Sequence, residues 1–132
     1  MNLKVAGWTA LALVVALAGG WTIGASGRSV LVQERRAADD RALFAEARAL
    51  AFEGRVSLFL VNFGDASTRF QEAHAVVEKL QAGMRETGQA ERAGRLEMVL
   101  TQLRDAQRLS AALDQSAQHS ASEALKALDA AR

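Results

Sequence analysis

His74 and Glu78 stand four residues apart, a spacing that places both on one helical face within reach of a divalent cation. Two ligands do not close such a site, since structural zinc takes four, and the only other histidine, His119, is far along the chain. Ser110, Ser116, Ser120 and Ser122 have neither a G-x-S-x-G spacing nor a strand-turn-helix setting, so none reads as a nucleophile. The glycines form no phosphate loop: G-x-x-x-x-G-K-[ST] is absent, as is a strand-linked G-x-G-x-x-G. Asp39 and Asp40 are the only adjacent carboxylates, and the remainder are spread as on solvated helix faces. Without cysteine there is no disulfide, no thiolate and no Cys-linked lipid. The expectation is a protein that is not an enzyme, with no catalytic, cofactor-binding or metal-binding residues.

The elements that carry these residues are read from composition and periodicity. Half of the 132 residues are apolar, with little aromatic content and no proline, and alanine and leucine supply the bulk. An Ala/Leu/Arg/Glu/Gln-rich chain with no proline favours long helices. Residues 5–27, VAGWTALALVVALAGGWTIGASG, contain no charge and lie between Lys4 and Arg28. About 20 such residues span a hydrocarbon core of ~30 Å, with indoles at its borders, here Trp8 and Trp21. The rival reading is a cleaved signal peptide with Ala16-Leu17-Ala18 as its cleavage motif. The apolar run continues through Ile23, which favours an uncleaved anchor. Ala12, Ala16, Gly20 and Gly24 recur every fourth residue and form a small face on which a second membrane helix could pack.

Orientation is read from two opposed signals. Lys4 and the amino terminus suit the cytoplasmic end of a signal anchor, whereas Arg28, Arg35, Arg36 and Arg41 would hold the other side in the cytoplasm. The signal-like layout favours export. The expected location is therefore the cytoplasmic membrane of a bacterium, single-pass, with the remainder of the chain periplasmic.

Beyond Lys4 the chain has 15 basic residues against 15 acidic ones, so no basic footprint for nucleic acid is concentrated there. The expected organisation is an anchor over 1–27, a charged stalk and helix start over 28–42, and a helical bundle over 43–132. The stalk's arginines, Arg28, Arg35 and Arg36, are also placed to meet anionic lipid. The first soluble helix, roughly 30–61, has a stripe of Leu43, Ala47, Leu50, Gly54, Leu58 and Val61, broadened by Phe44, Ala51 and Phe59. The second, roughly 65–86, repeats Ala66, Phe70, Ala73, Val77, Leu80 and Met84 at spacings of four and three, a coiled-coil-like seam that must face another helix. Gly83 and Gly88 read as turn or cap residues. The third helix, roughly 90–114, has Leu96, Val99, Leu100, Leu103, Ala106, Leu109 and Leu113, and Ser120 to Glu123 reads as a capping box opening a last segment. The fold class is all-α: a transmembrane helix followed by a small antiparallel bundle of three to four helices.

Between the first two soluble helices, Gly64 reads as a left-handed helix terminator and Asp65 as the next N-cap, which is an ordinary hairpin. The surrounding residues Gly54, Phe63, Ala66, Phe70 and Ala73, within 46–79, resemble the middle of a tetratricopeptide repeat. The segment departs from that family at Glu53, Ser57 and Glu78, and one period later Leu100 and Arg104 break the pattern. The resemblance implies a single repeat-like helix pair, a unit that in the family docks peptides or protein helices. The expected function is a membrane-anchored protein-protein interaction module, adaptor or scaffold, holding a protein partner through the central hairpin of Phe59, Phe63, Phe70, Val77 and Leu80, residues whose first reading is ordinary core packing. The alternatives are a self-assembling membrane subunit, a homo-oligomer, and a ligand- or lipid-sensing bundle.

Overall fold

The computed structural model describes residues 29–132, with the first helix assigned back to Leu3. The expected membrane segment, including Ala12, Ala16, Gly20 and Gly24, lies outside the described residues. Among the described residues no helix is long and apolar enough to cross a membrane. Four helices and no strands are found there: α1 (Leu3–Phe59), α2 (Phe63–Glu86), α3 (Ala90–Ala111) and α4 (Ala117–Ala131). The chain divides into two compact units, Met1–Asp39 and Asp40–Arg132. Of the first, the described stretch 29–39 is helical with nearly every side chain exposed. The core belongs to the second.

Within that unit each helix runs antiparallel to its neighbours. Gly54 meets Phe70 and Ser57 meets Asp65 across α1 and α2. Gln81 donates to the Ala93 carbonyl at 2.9 Å and Arg85 pairs with Glu97 at 3.2 Å across α2 and α3. Arg92 reaches the Arg132 carbonyl across α3 and α4, and Arg48 pairs with Asp129 at 3.0 Å, closing α4 onto α1. The result is an up-down-up-down four-helix bundle.

The α2 stripe explains why this arrangement holds. Ala66, Phe70, Ala73, Val77, Leu80 and Met84 are all fully buried, facing Leu96, Val99 and Leu103 of α3 within one apolar core. Each large side chain removed from water contributes about 1.5–3 kcal/mol. Half of the buried apolar residues are alanine, which draws the helices close and limits the area each contributes. In α4 only Leu128 of the buried apolar residues is larger than alanine. The α1 stripe lies about one residue off its expected centre: Phe44, Ala47, Ala51, Gly54 and Leu58 are buried, Leu43 and Leu50 partly so, and Phe59 and Val61 face solvent. In α3, Leu113 lies beyond the helix end and is exposed.

Three helix ends share one hydrogen-bond pattern. Val61 donates to Leu58 O and Asn62 to Ser57 O; Gly88 to Arg85 O and Gln89 to Met84 O; Leu113 to Ser110 O and Asp114 to Leu109 O. These are Schellman motifs, which require a left-handed residue at the first non-helical position. Gly88 (φ 76°) satisfies that without cost, whereas Val61 and Leu113 adopt φ 58° despite their side chains. The expected turn at Gly64 is therefore corrected. The reversal occurs at Val61, Asn62 is the N-cap with its side chain accepting from Asp65 N at 3.3 Å, and Gly64 lies in the first turn of α2. Gly83 is likewise inside α2 and is no turn residue. The capping box is also corrected: α4 begins at Ala117, so Ser120 is a buried member of its inward face and Glu123 pairs with Lys126. The chain enters α4 through Asp114, whose carboxylate accepts from Ser116 N at 2.8 Å.

Candidate interaction surface

Of the five residues expected to meet a partner, Phe70, Val77 and Leu80 are fully buried, so their side chains serve the core and are unavailable to a partner. Phe63 is half-buried at the start of α2, and Phe59 is 67% exposed at the end of α1. The same sequence pattern marks core and contact, and only the packed bundle separates the two.

Gly54 explains how Phe70 is placed. A Cβ built on Gly54 would lie 2.7 Å from Phe70 Cε1 and 3.0 Å from two further ring carbons. The ring thus lies directly against the α1 backbone, with no α1 side chain between them. Beside this contact Arg69 of α2 pairs with Glu72 at 3.0 Å and with Glu53 of α1 at 3.4 Å. The Glu72 hydrogen bond, followed by the nearby acidic charges, holds the Arg69 guanidinium more firmly protonated than usual. Ser57 donates to Asp65, fastening the end of α1 to the start of α2.

The outward side of α1 shows what sequence reasoning missed. Phe52 is 56% exposed and Val56 40%, in line with Phe59 and adjoining Leu60 and Val61 at the corner. Arg55 stacks over Phe59, 5.7 Å from the ring centroid, and its Nε is buried without a hydrogen-bond partner. Two depressions border this face. A groove of about 290 Å³ between α1 and α4 is lined by Phe44, Phe52 and Leu128 together with Arg41, Arg48 and Arg132. A second, of about 430 Å³, opens at the far end between Leu58, Phe59, Phe63 and Gln118. The signal was present in the sequence, but α1 is apolar around much of its circumference, so the core stripe masked the outer one.

The groups first considered for chemistry are held in ordinary contacts. His74 Nδ1 lies 3.6 Å from Glu78 Oε2, and its Nε2 lies 3.4 Å from Arg104. Ser110 donates to the Ala106 carbonyl of its own helix at 2.7 Å. Among the described residues no group of three His, Cys, Asp or Glu is placed to hold a metal ion. Comparison with family models, with curated proteins and with solved structures finds no match to this chain.

Proposed function

We propose that this chain is a membrane-anchored helical interaction module, an adaptor or scaffold without catalytic activity. The observation that supports it is the exposed apolar face Phe52, Val56 and Phe59, with the Leu60–Phe63 corner, on a bundle whose own core is already filled by other residues. Exposed apolar residues gathered on one face mark a place where another molecule packs. The charge-free segment 5–27 supplies the anchor, and the bundle stands on the extracytoplasmic side of the membrane.

The test is a purification of the tagged full-length chain in mild detergent, beside an F52E/F59E variant shown by circular dichroism to keep its helices. A stoichiometric associate, foreign or a second copy, is expected with the first and absent from the second. An equal yield of associates from both would refute the reading. Anchoring is checked separately: the chain should stay with membranes through alkaline carbonate, and release into the supernatant would remove the anchor. Protease added to spheroplasts should cut at the Leu60–Phe63 corner; protection there would place the bundle inside.

A further inference from the structure

From Ala42 to Phe59 the outer face of α1 has a second periodicity, distinct from that of the core. Ala42, Ala45, Ala49, Phe52, Val56 and Phe59 follow one another at spacings of three and four, and all six are exposed. Written as heptads, they occupy alternating a and d positions, the seam of a two-stranded coiled coil. The core residues Ala47 and Gly54 fall at f, diametrically opposite. The bundle therefore uses one side of α1 and leaves the other as an unpartnered apolar ridge of about 27 Å.

The charges beside this ridge select its occupant. Every g position is basic (Arg41, Arg48 and Arg55), while Glu46 and Glu53 hold the e positions, with Leu60 following. In a parallel pair, g of one helix faces e of the next heptad on the other. Two copies aligned in parallel place Arg41 opposite the second copy's Glu46, and Arg48 opposite its Glu53, twice over by symmetry. Arg55 then faces Leu60 and stays over Phe59. An antiparallel pair would set arginine against arginine and glutamate against glutamate. The surface is thus self-complementary about a two-fold axis along the helix, the requirement for an isologous dimer.

We infer that the occupant of this face is a second copy of the chain, joined α1 to α1 in parallel and in register. The inference deepens the interaction reading above by naming its partner. The groove between α1 and α4 fits it: Arg41, Arg48 and Arg132 line the edge over which the second helix's acidic side passes, and the one acid there, Asp129, is already paired with Arg48. The intramolecular pairs Arg48–Asp129 and Glu53–Arg69 are largely exposed and cost little to share or exchange. Because the bundle already holds α1 helical, pairing needs no nucleation of helix, so a short, alanine-rich seam suffices. Parallel alignment starts both copies at the same end, as two chains anchored in one membrane require.

The chain has no cysteine, so single cysteines report proximity without background. Full-length A42C and V56C, at the two ends of the seam, are oxidised in reconstituted bilayers beside T101C, an exposed position on α3. Same-site disulfide dimers are expected with A42C and V56C and not with T101C. R41E/R48E and E46R/E53R, each carrying V56C, should each lower the dimer yield at least tenfold, and their equimolar mixture should restore it. Equal yields at all three cysteine sites, or cross-linking of A42C only to F59C, would overturn the inference, as would a monomer at every protein-to-lipid ratio. In those cases a foreign protein bound by the full chain and lost with F52E/F59E would leave the interaction reading standing. No associate of any kind would end both.

Discussion

Gly54 and Gly94 both lie inside helices, and alanine introduced at each should move stability in opposite directions. At Gly94 an added Cβ meets nothing within 4 Å. The substitution there acts only through helix propensity and should stabilise by up to about 1 kcal/mol. At Gly54 the same methyl would lie 2.7 Å from Phe70 Cε1. The Phe70 ring cannot swing away, because it is fully buried inside the α1–α2–α3 packing. Overpacking of this kind costs about 1–3 kcal/mol, from which the propensity gain subtracts about 1, leaving a net loss of roughly 0–2 kcal/mol. For a domain near 100 residues each kcal/mol moves the midpoint by about 4–8 °C. Thermal unfolding of the full chain in mild detergent, followed by helical ellipticity, should therefore show G94A melting above the parent and G54A at or below it. Placing G54A in an F70L background gives the methyl room, so the loss should shrink by an amount that double-mutant analysis isolates. If G54A instead raises the midpoint as much as G94A, the close approach of α1 to the Phe70 ring is refuted.

The remaining predictions concern the turns, the core and one carboxylate. V61G and L113G should each stabilise by about 0.5–1 kcal/mol, because both residues hold φ 58° and are mostly exposed, so glycine relieves strain at little loss of burial; a fall in midpoint would contradict the Schellman assignment. F70A should cost about 3–5 kcal/mol, enough to lose the cooperative melt, while F63A, at a half-exposed position, should cost about 1 kcal/mol; similar losses at the two sites would count against this core. Asp114 accepts from Ser116 N, and that hydrogen bond holds its carboxyl below the usual aspartate range. A depressed folded-state value means that the stabilisation is whole above the ordinary aspartate range and is lost as pH falls below that range and through the lowered folded-state value. D114A should therefore melt below the parent at neutral pH, and the gap should close in acid; a gap that is constant with pH would refute the assignment.

The second helix was legible in the sequence because four large apolar residues, Phe70, Val77, Leu80 and Met84, recur with Ala66 and Ala73 at spacings of four and three, and all six are buried as that pattern demands. The entry to α4 was not, because its inward face is built from Ala117, Ser120, Ala121 and Ala124, small residues that give no strong period and include a serine that looks like a cap. The turn after α1 was misplaced for a related reason. Gly64 is the residue best suited to a left-handed conformation, but the carbonyls of Ser57 and Leu58 must be satisfied by Asn62 and Val61, so the strain falls on valine. The exposed apolar face of α1 was obscured by alanine. Ala42, Ala45 and Ala49 carry little hydrophobic weight, and Phe52 and Val56, which belong to no stripe assigned to the core, stand out only once the bundle shows which side of α1 faces inward.

Two apolar faces on one helix also bear on how this protein can change over generations. Between residues 42 and 59 the core takes Leu43, Phe44, Ala47, Leu50, Ala51, Gly54, Ser57 and Leu58, and the outer ridge with its flanking charges takes the rest. No residue in that stretch is left to drift freely, whereas the outer sides of α2 and α3 carry exposed residues such as Gln71, Lys79 and Thr101 that meet no core demand. Substitutions in diverged copies of this protein should accordingly collect on α2 and α3. Those on α1 should come in matched pairs, a reversal at Arg41 accompanied by one at Glu46, and at Arg48 by one at Glu53.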